Sequence, residues 1–216
     1  MMNIVSSWSG GKDSCFALMQ ALADGHRLKV LLNMMNENGK VSRSHAIPLK
    51  ILQQQVAAIN IPPHTVASSL ADYENNFITA LQELKEAYQL EGAVFGDIDL
   101  QPHRNWEEKV CNEANIKAML PLWQQSRKPL VLEMIAAGIE ATIVSCNTTM
   151  DTDFLGNKID YSLIETLERM GIDACGENGE YHTLVTNCPL FKNAVSVTFG
   201  SKRQYNDYCF IEMITT

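Results

Sequence analysis

Seven consecutive residues, Trp8-Ser9-Gly10-Gly11-Lys12-Asp13-Ser14, combine the groups that a polyphosphate needs. Gly10 and Gly11 carry no Cβ, so an anion can approach their backbone closely. Lys12 supplies a mobile positive charge, and Ser9 and Ser14 supply hydroxyl donors. The apolar pair Ile4-Val5 precedes this run, and a helix-forming stretch from Cys15 to Ala23 follows it. A strand, a glycine loop and a helix in that order aim the helix's unpaired N–H groups and positive dipole end at an anion lying over the loop. The run reads as a nucleotide phosphate cradle. The plainer alternative is an ordinary turn with Asp13 as helix cap, and the two are compatible.

A Walker A loop is excluded, because that pattern requires glycine where Ser6 stands and Ser or Thr where Asp13 stands. Ser-Gly-Gly-Lys-Asp-Ser at 9–14 instead resembles the PP-loop of the N-type ATP pyrophosphatases. That resemblance implies a grip on the β,γ-phosphates of ATP while an acceptor oxygen attacks the α-phosphate, giving an adenylated intermediate and pyrophosphate.

The elements that must carry these residues follow from periodicity and punctuation. Residues 3–7 predict a first strand and 14–24 a helix closed by Gly25. The continuously apolar run Leu28 to Met35 suits a strand buried on both faces of a parallel sheet. Pro48 opens a helix to about Asn60, and His64 to Ser68 predicts a third strand. A long helix follows from Asp72 or Tyr73 to about Leu90, with Phe77, Leu81, Leu84 and Tyr88 on one face. Strands at 93–96 and 117–120 flank a helix expected over 105–115. The alternation indicates an α/β, doubly wound parallel sheet.

Beyond it the pattern changes. A helix over 129–137, a strand over 139–146 and a helix over 161–169 lead to strands at 194–199 and 208–214, read as a hairpin around Gly200-Ser201. The expected organisation is an ATP-binding domain over 1–125 and a smaller α+β domain over 126–216.

Two further groups can do chemistry. In an open α/β sheet, ligands bind beyond the carboxyl ends of strands where the winding reverses. If the first and fourth strands are neighbours, Gly96-Asp97 faces the glycine loop, and Asp97 suits a Mg²⁺ bridging phosphates or, more plainly, a helix cap. Asn33 and Met34, at the end of the second strand, fall where adenine would lie. Glu177, Glu180 and His182 form the second group, with Glu180 and His182 on one face if the segment is a strand. Such a group orients an amine, deprotonates ammonium or binds a metal. It also reads as a turn with solvated carboxylates and a hydrogen-bonded histidine.

Composition sets the bounds. The 216 residues include 17 Lys and Arg against 25 Asp and Glu, a net charge of −8, which argues against an extended nucleic-acid surface. No apolar run is long enough to span a membrane, and the N-terminal residues lack the pattern of a signal peptide, so a cytoplasmic protein is expected. The six cysteines form no C-x-x-C pair and read as small buried hydrophobes.

Gly-Glu-Asn-Gly-Glu-Tyr-His-Thr at 176–183 with Pro189-Leu190-Phe191 resembles the signature of the diphthine–ammonia ligase family. His45, Gly96-Asp97-Ile98, Arg104-x-Trp106-Glu107, Cys111, Pro121-Leu122-Trp123, Gly138 and Leu155-Gly156 extend the resemblance over nearly the whole chain. It implies ATP-dependent amidation, in which a carboxylate is adenylated and ammonia displaces AMP, with ATP and Mg²⁺ as cofactors and ammonium as partner. On the matching positions it implies ATP at Ser9, Gly10, Gly11, Lys12, Asp13, Ser14, His45, Gly96 and Asp97, to which the place of Asn33 and Met34 at the end of the second strand adds those two. The substrate side falls to Arg104, Glu177, Asn178, Glu180, Tyr181, His182 and Thr183, and catalysis to Lys12, Glu177, Glu180 and His182. In archaea and eukaryotes the carboxylate belongs to diphthine on the translocation elongation factor, whereas a bacterial source implies another carboxylate. A tRNA-modifying PP-loop enzyme and a nucleotide-binding regulatory module without turnover are the rival readings.

Overall fold

The computed structural model describes residues 1–215, which divide into two compact units. The first comprises Met1–Ser9, Asp13–Arg43 and Asn60–Gln124. It contains strands β1 (Asn3–Ser7), β2 (Arg27–Met35), β3 (Pro63–Ala67), β4 (Gly92–Val94) and β5 (Lys117–Met119), all paired in parallel. Their order is β3-β2-β1-β4-β5. The winding therefore reverses between β1 and β4, the place where α/β sheets open to ligands. Helix α1 (Lys12–Ala23) follows β1 directly. Parallel strands need covering on their faces. Helices α3 (Tyr73–Tyr88) and α4 (Gln101–Glu113) do this through Phe77, Leu81, Leu84, Val110 and Cys111, which share a core with Val5, Val30 and Leu32.

Helix α4 begins at Gln101, four residues before the expected start. Pro102 lies in its first turn, where a missing N–H costs nothing and a fixed φ suits the helix. The earlier start places His103 and Arg104 on the helix rather than in the preceding loop.

The second unit comprises Gly10–Lys12, Ser44–Ile59 and the chain from Gln125 onward. Helices α2 (Leu49–Ile59), α5 (Arg127–Ala136) and α6 (Tyr161–Arg169) accompany β6 (Glu140–Asn147), β7 (Tyr181–Asn187), β8 (Val197–Tyr205) and β9 (Tyr208–Thr215). These strands form an antiparallel sheet in the order β7-β6-β9-β8.

The hairpin turn lies at Asn206-Asp207, not at Gly200-Ser201. Tyr205 pairs directly with Tyr208, and Asn206 takes φ 51°, the left-handed conformation that a two-residue turn requires. Gly200 instead belongs to a bulge: β8 advances from Phe199 to Lys202 while β9 moves only from Met213 to Ile211. A Cβ at Gly200 would lie 2.8 Å from Glu212 Oε2, so glycine accommodates the side chain of the opposing strand.

Among the described residues no helix is long and apolar enough to cross a membrane. All six cysteines are buried and none is paired in a disulfide. Burial, with the Glu107 charge adding to it, pushes the Cys111 thiol up to about 12, and burial with Cys209 nearby pushes Cys146 up to about 11. Both are packing residues rather than nucleophiles.

Candidate functional site

Gly10, Gly11 and Lys12 are built into the second unit by hydrogen bonds to β7 and α2. Val185 N–H donates to the Gly10 carbonyl at 2.9 Å, and Lys12 N–H donates to Thr183 Oγ1 at 3.1 Å. The Gln55 amide, fully buried on α2, donates to Gly10 O at 3.0 Å and to Val185 O at 2.7 Å. These contacts explain both glycines by close protein packing. Gly10 has φ 86°, and a Cβ there would lie 2.8 Å from Ile47 Cδ1 and 2.9 Å from Gln55 Oε1. A Cβ on Gly11 would overlap His45 Cε1 outright and lie 3.0 Å from His45 Nδ1. On these sides, then, the room left by the missing side chains is taken by His45 and α2.

His45 Nδ1 lies 2.8 Å from the Thr183 carbonyl, which can only accept, so Nδ1 carries the proton. The ring stands 4.7 Å from the His182 ring, and His182 in turn stacks on Tyr208 at 6.3 Å. Burial lowers the His45 pKa to about 4; the Thr183 hydrogen bond opposes this and the Lys12 charge adds to it. The imidazole is therefore neutral at physiological pH. Its folded pKa lies below the ordinary 6.5, so its stabilising contribution is complete above pH 6.5 and is lost as pH falls through about 4. The loss amounts to about 3 kcal/mol. His45→Gln should flatten the fall in melting temperature between those pH values, as measured by thermal unfolding across a pH series.

The side chain of Lys12 is almost fully enclosed. Its Nζ donates to the Cys175 carbonyl at 2.6 Å and lies 5.4 Å from the centroid of the Tyr181 ring. Tyr181 is itself held, its hydroxyl donating to the Ala174 carbonyl at 2.5 Å. The loop that carries Cys175 is braced by Arg127, at the start of α5, which bonds Asp173 and reaches Asn178 Oδ1 at 3.2 Å. Asp173 also accepts from Glu177 N–H at 3.0 Å. Glu180 lies just before β7, and its carboxylate accepts both the backbone N–H and the side-chain amide of Asn178 at 3.0 Å. The expected Glu177–Thr183 group thus combines two settings. Glu177, Asn178 and Glu180 shape a loop, while Tyr181, His182 and Thr183 hold Lys12 of the glycine loop and His45. Gln55, Arg127, Asp173 and Tyr208 were not legible as site residues, because none belongs to a local motif.

In the first unit, Ser9 Oγ and Ser14 Oγ are 3.0 Å apart, one donating to the other. Helix α1 starts at Lys12, so Asp13 falls inside its first turn rather than at the cap, where its charge favours the positive dipole end. A Cβ on Gly96 would lie 2.7 Å from both Asp13 C and Ser14 N, so Gly96, two residues beyond β4, abuts the start of α1. This juxtaposition follows from the pairing of β1 with β4. Asp97 Oδ1 lies 2.7 Å from His103 Nδ1. Burial acts to raise the Asp97 carboxyl, but hydrogen bonds from His103 and Glu107 and the charge of His103 together hold it below its usual value.

Magnesium arriving on nucleotide phosphates needs only one or two protein carboxylates. Asp97 offers one, already shared with His103, and no group of three metal-ligating side chains occurs among the described residues. Arg104 pairs with Glu108 at 2.7 Å and covers the Trp123 ring at 4.9 Å. Asn33 donates to the Trp8 carbonyl at 2.5 Å, leaving its buried Oδ1 without a protein partner, while the Met34 side chain lies in the core.

Comparison with known proteins adds an independent line. The family model described as the diphthamide synthase N-terminal domain matches residues 2–118, and that of the diphthamide synthase C-terminal domain matches residues 126–215. The diphthine–ammonia ligase of Bos taurus is 31% identical over 224 residues, covering 91% of this chain and 83% of that protein. The Homo sapiens diphthine–ammonia ligase is 29% identical over 221 residues with the same coverage. A solved structure described as a predicted subunit of tRNA methyltransferase from Methanocaldococcus jannaschii gives a TM-score of 0.48 at 16% identity, covering 87% of this chain and 98% of that one, too loose a likeness to bear on the reaction. With both domain models matched in sequence order, the chain belongs to the diphthamide synthase family of ATP-dependent ligases.

Proposed function

We propose that the chain amidates a carboxylate in two steps, with ATP phosphates held over Ser9 to Ser14. In the first, a carboxylate oxygen of the acceptor attacks the α-phosphate, the α–β bond breaks, and pyrophosphate leaves with the bonding electrons. In the second, the lone pair of ammonia attacks the acyl carbon, AMP leaves with the C–O electrons, and the surplus proton passes to a base. Lys12 neutralises charge on the phosphates, an electrostatic task of the kind worth about 3–4 kcal/mol. The observation that carries the reading is the bonding of the glycine loop to the Gly176–Thr183 signature and the residue before it: Lys12 touches Thr183, Tyr181 and Cys175 at once. Ammonia is the nitrogen donor, and diphthine on the translocation elongation factor is the acceptor, by extension from the named relatives.

The test is pyrophosphate and AMP release from ATP and ammonium, with and without archaeal or eukaryotic elongation factor carrying diphthine. Release that depends on the factor supports the acceptor. ATP binding with no release in its presence rejects diphthine and directs the search to small carboxylates. Glu180→Gln is expected to bind ATP as the wild type does while amide formation falls roughly 10²-fold, the scale of a lost acid–base group. Weakened ATP binding in that variant would move Glu180 to the nucleotide.

A further inference from the structure

We propose that Arg43 is a substrate-binding residue that takes the carboxylate of the acceptor at the carboxyl edge of the five-stranded sheet. The inference rests on the reading that this chain activates a carboxylate.

Arg43 reaches that edge because the chain doubles back after β2. Ser42 bridges antiparallel to Met35, and Arg43 N–H donates to the Met34 carbonyl at 3.1 Å. The side chain has two supports. One Nη donates to the Ser68 carbonyl, just beyond β3, and the guanidinium carbon lies 5.9 Å from the centroid of the Tyr73 ring. Both supports are themselves fixed. Ser68 is buried, its N–H donates to the Met35 carbonyl, and its hydroxyl accepts from Asn76 Nδ2 at 3.0 Å. Tyr73 stacks on Phe77 at 6.2 Å and meets Trp106 at 5.7 Å. The guanidinium is therefore held in place before any ligand arrives.

Its surroundings lack a counterion. Among the described residues no carboxylate stands within ion-pairing distance of Arg43, and its buried Nε–H bonds no protein acceptor. A half-buried charge with an unbonded donor is costly unless something else supplies the acceptor. The planar fork of a guanidinium matches the two oxygens of a carboxylate. Arg104 gives the contrast: it pairs with Glu108 at 2.7 Å, so its charge is matched within its own helix.

The position selects the ligand. Arg43 follows β2, Ser68 follows β3, and Trp106 stands on the helix after β4, so the ends of three strands converge on Tyr73. Ligands of open α/β sheets bind beyond such ends. Because β1 and β2 pair in parallel, the segments carrying Ser9 and Arg43 leave the same edge of the sheet. Burial raises the Tyr73 hydroxyl, Arg43 opposes this, and the charges of Asp97 and Glu107 add to it. Negative charge that close opposes a polyphosphate, with its several charges, more than a carboxylate with one.

Two measurements test the assignment. The first needs no turnover. Sodium acetate is titrated at constant ionic strength into the ¹⁵N-labelled chain, with and without saturating ATP and Mg²⁺, while the Nε–H resonances of Arg43 and of Arg203, exposed on β8, are followed. Acetate is expected to shift Arg43 saturably in both series and Arg203 only linearly. Linear behaviour at both arginines would make Arg43 a strut between Ser68 and Tyr73, and loss of the acetate shift under ATP would give it to the nucleotide; either overturns the proposal. The second measurement is steady-state pyrophosphate release with elongation factor carrying diphthine. Arg43→Met is expected to raise KM for the factor about 10- to 100-fold, the scale of one hydrogen bond to a charged group, with KM for ATP and for ammonium unchanged. Arg43→Lys keeps the charge but not the fork, and its KM for the factor should lie between wild type and Arg43→Met, which keeps the test intact if the methionine variant does not fold. A wild-type KM for the factor in both variants, or a rise confined to KM for ATP, would overturn the assignment. If the wild type itself releases no pyrophosphate with the factor, diphthine is rejected as acceptor, and the acetate titration still decides the Arg43 site.

Discussion

Lys12→Ala is expected to reduce pyrophosphate release from ATP by at least about 10²-fold while leaving the melting temperature within a few degrees of the wild type. The lost rate corresponds to removing one preorganised positive group from a developing polyphosphate charge, about 3–4 kcal/mol. The fold should survive because the bonds anchoring the loop belong to its backbone: Lys12 N–H to Thr183 Oγ1 and Val185 N–H to Gly10 O both remain. The substitution also removes a buried ammonium, whose desolvation offsets part of its bonds to the Cys175 carbonyl and the Tyr181 ring. Pyrophosphate release together with thermal unfolding decides the matter. Wild-type release would remove Lys12 from the phosphates, and a collapse in melting temperature would make its buried contacts the dominant role.

Gly11→Ala is expected to abolish detectable turnover and to destabilise the fold by about 1–3 kcal/mol, the range for a group forced into a filled space. The new methyl meets three obstacles: His45 Cε1, which it overlaps, His45 Nδ1 at 3.0 Å, and the Thr183 carbonyl at 3.1 Å. Two of these belong to one removable side chain. The double variant Gly11→Ala/His45→Ala should therefore recover most of the lost stability, with a coupling energy of about 1 kcal/mol or more between the two sites. The Thr183 carbonyl stays in place, so recovery should stop short of the His45→Ala single variant. Chemical denaturation of all four proteins measures the cycle. Purely additive effects would mean that His45 is not what the methyl strikes.

The first strand, the glycine loop and the first helix were legible because each depends on residues within a few positions of one another. The same holds for α3, whose Phe77, Leu81 and Leu84 face one core as their spacing predicts. The hairpin shows where local reading fails. Gly200-Ser201 and Asn206-Asp207 both have turn chemistry, and the choice between them depends on the register with β9, which absorbs Gly200 in a bulge beside Glu212. Helix α4 shows the same limit at its start, where an earlier first turn gave Asp97 a histidine partner that the loop reading missed.

At the glycine loop the division is sharpest. By itself, the amino-acid sequence determined that Ser9 to Ser14 joins a strand to a helix, that two adjacent residues there carry no Cβ, and that a second polar segment stands at 176–183. These are properties of residue type and short spacing. Only the tertiary structure decided that β1 lies beside β4, that His45 fills the space beside Gly11, and that a glutamine inside an amphipathic helix binds Gly10 to β7. Gln55 is 45 residues from Gly10 and 130 from Val185. Periodicity and propensity act over one or two turns of chain, so a bond across such separations is specified by the packing of the whole fold and leaves no signature in the residues on either side.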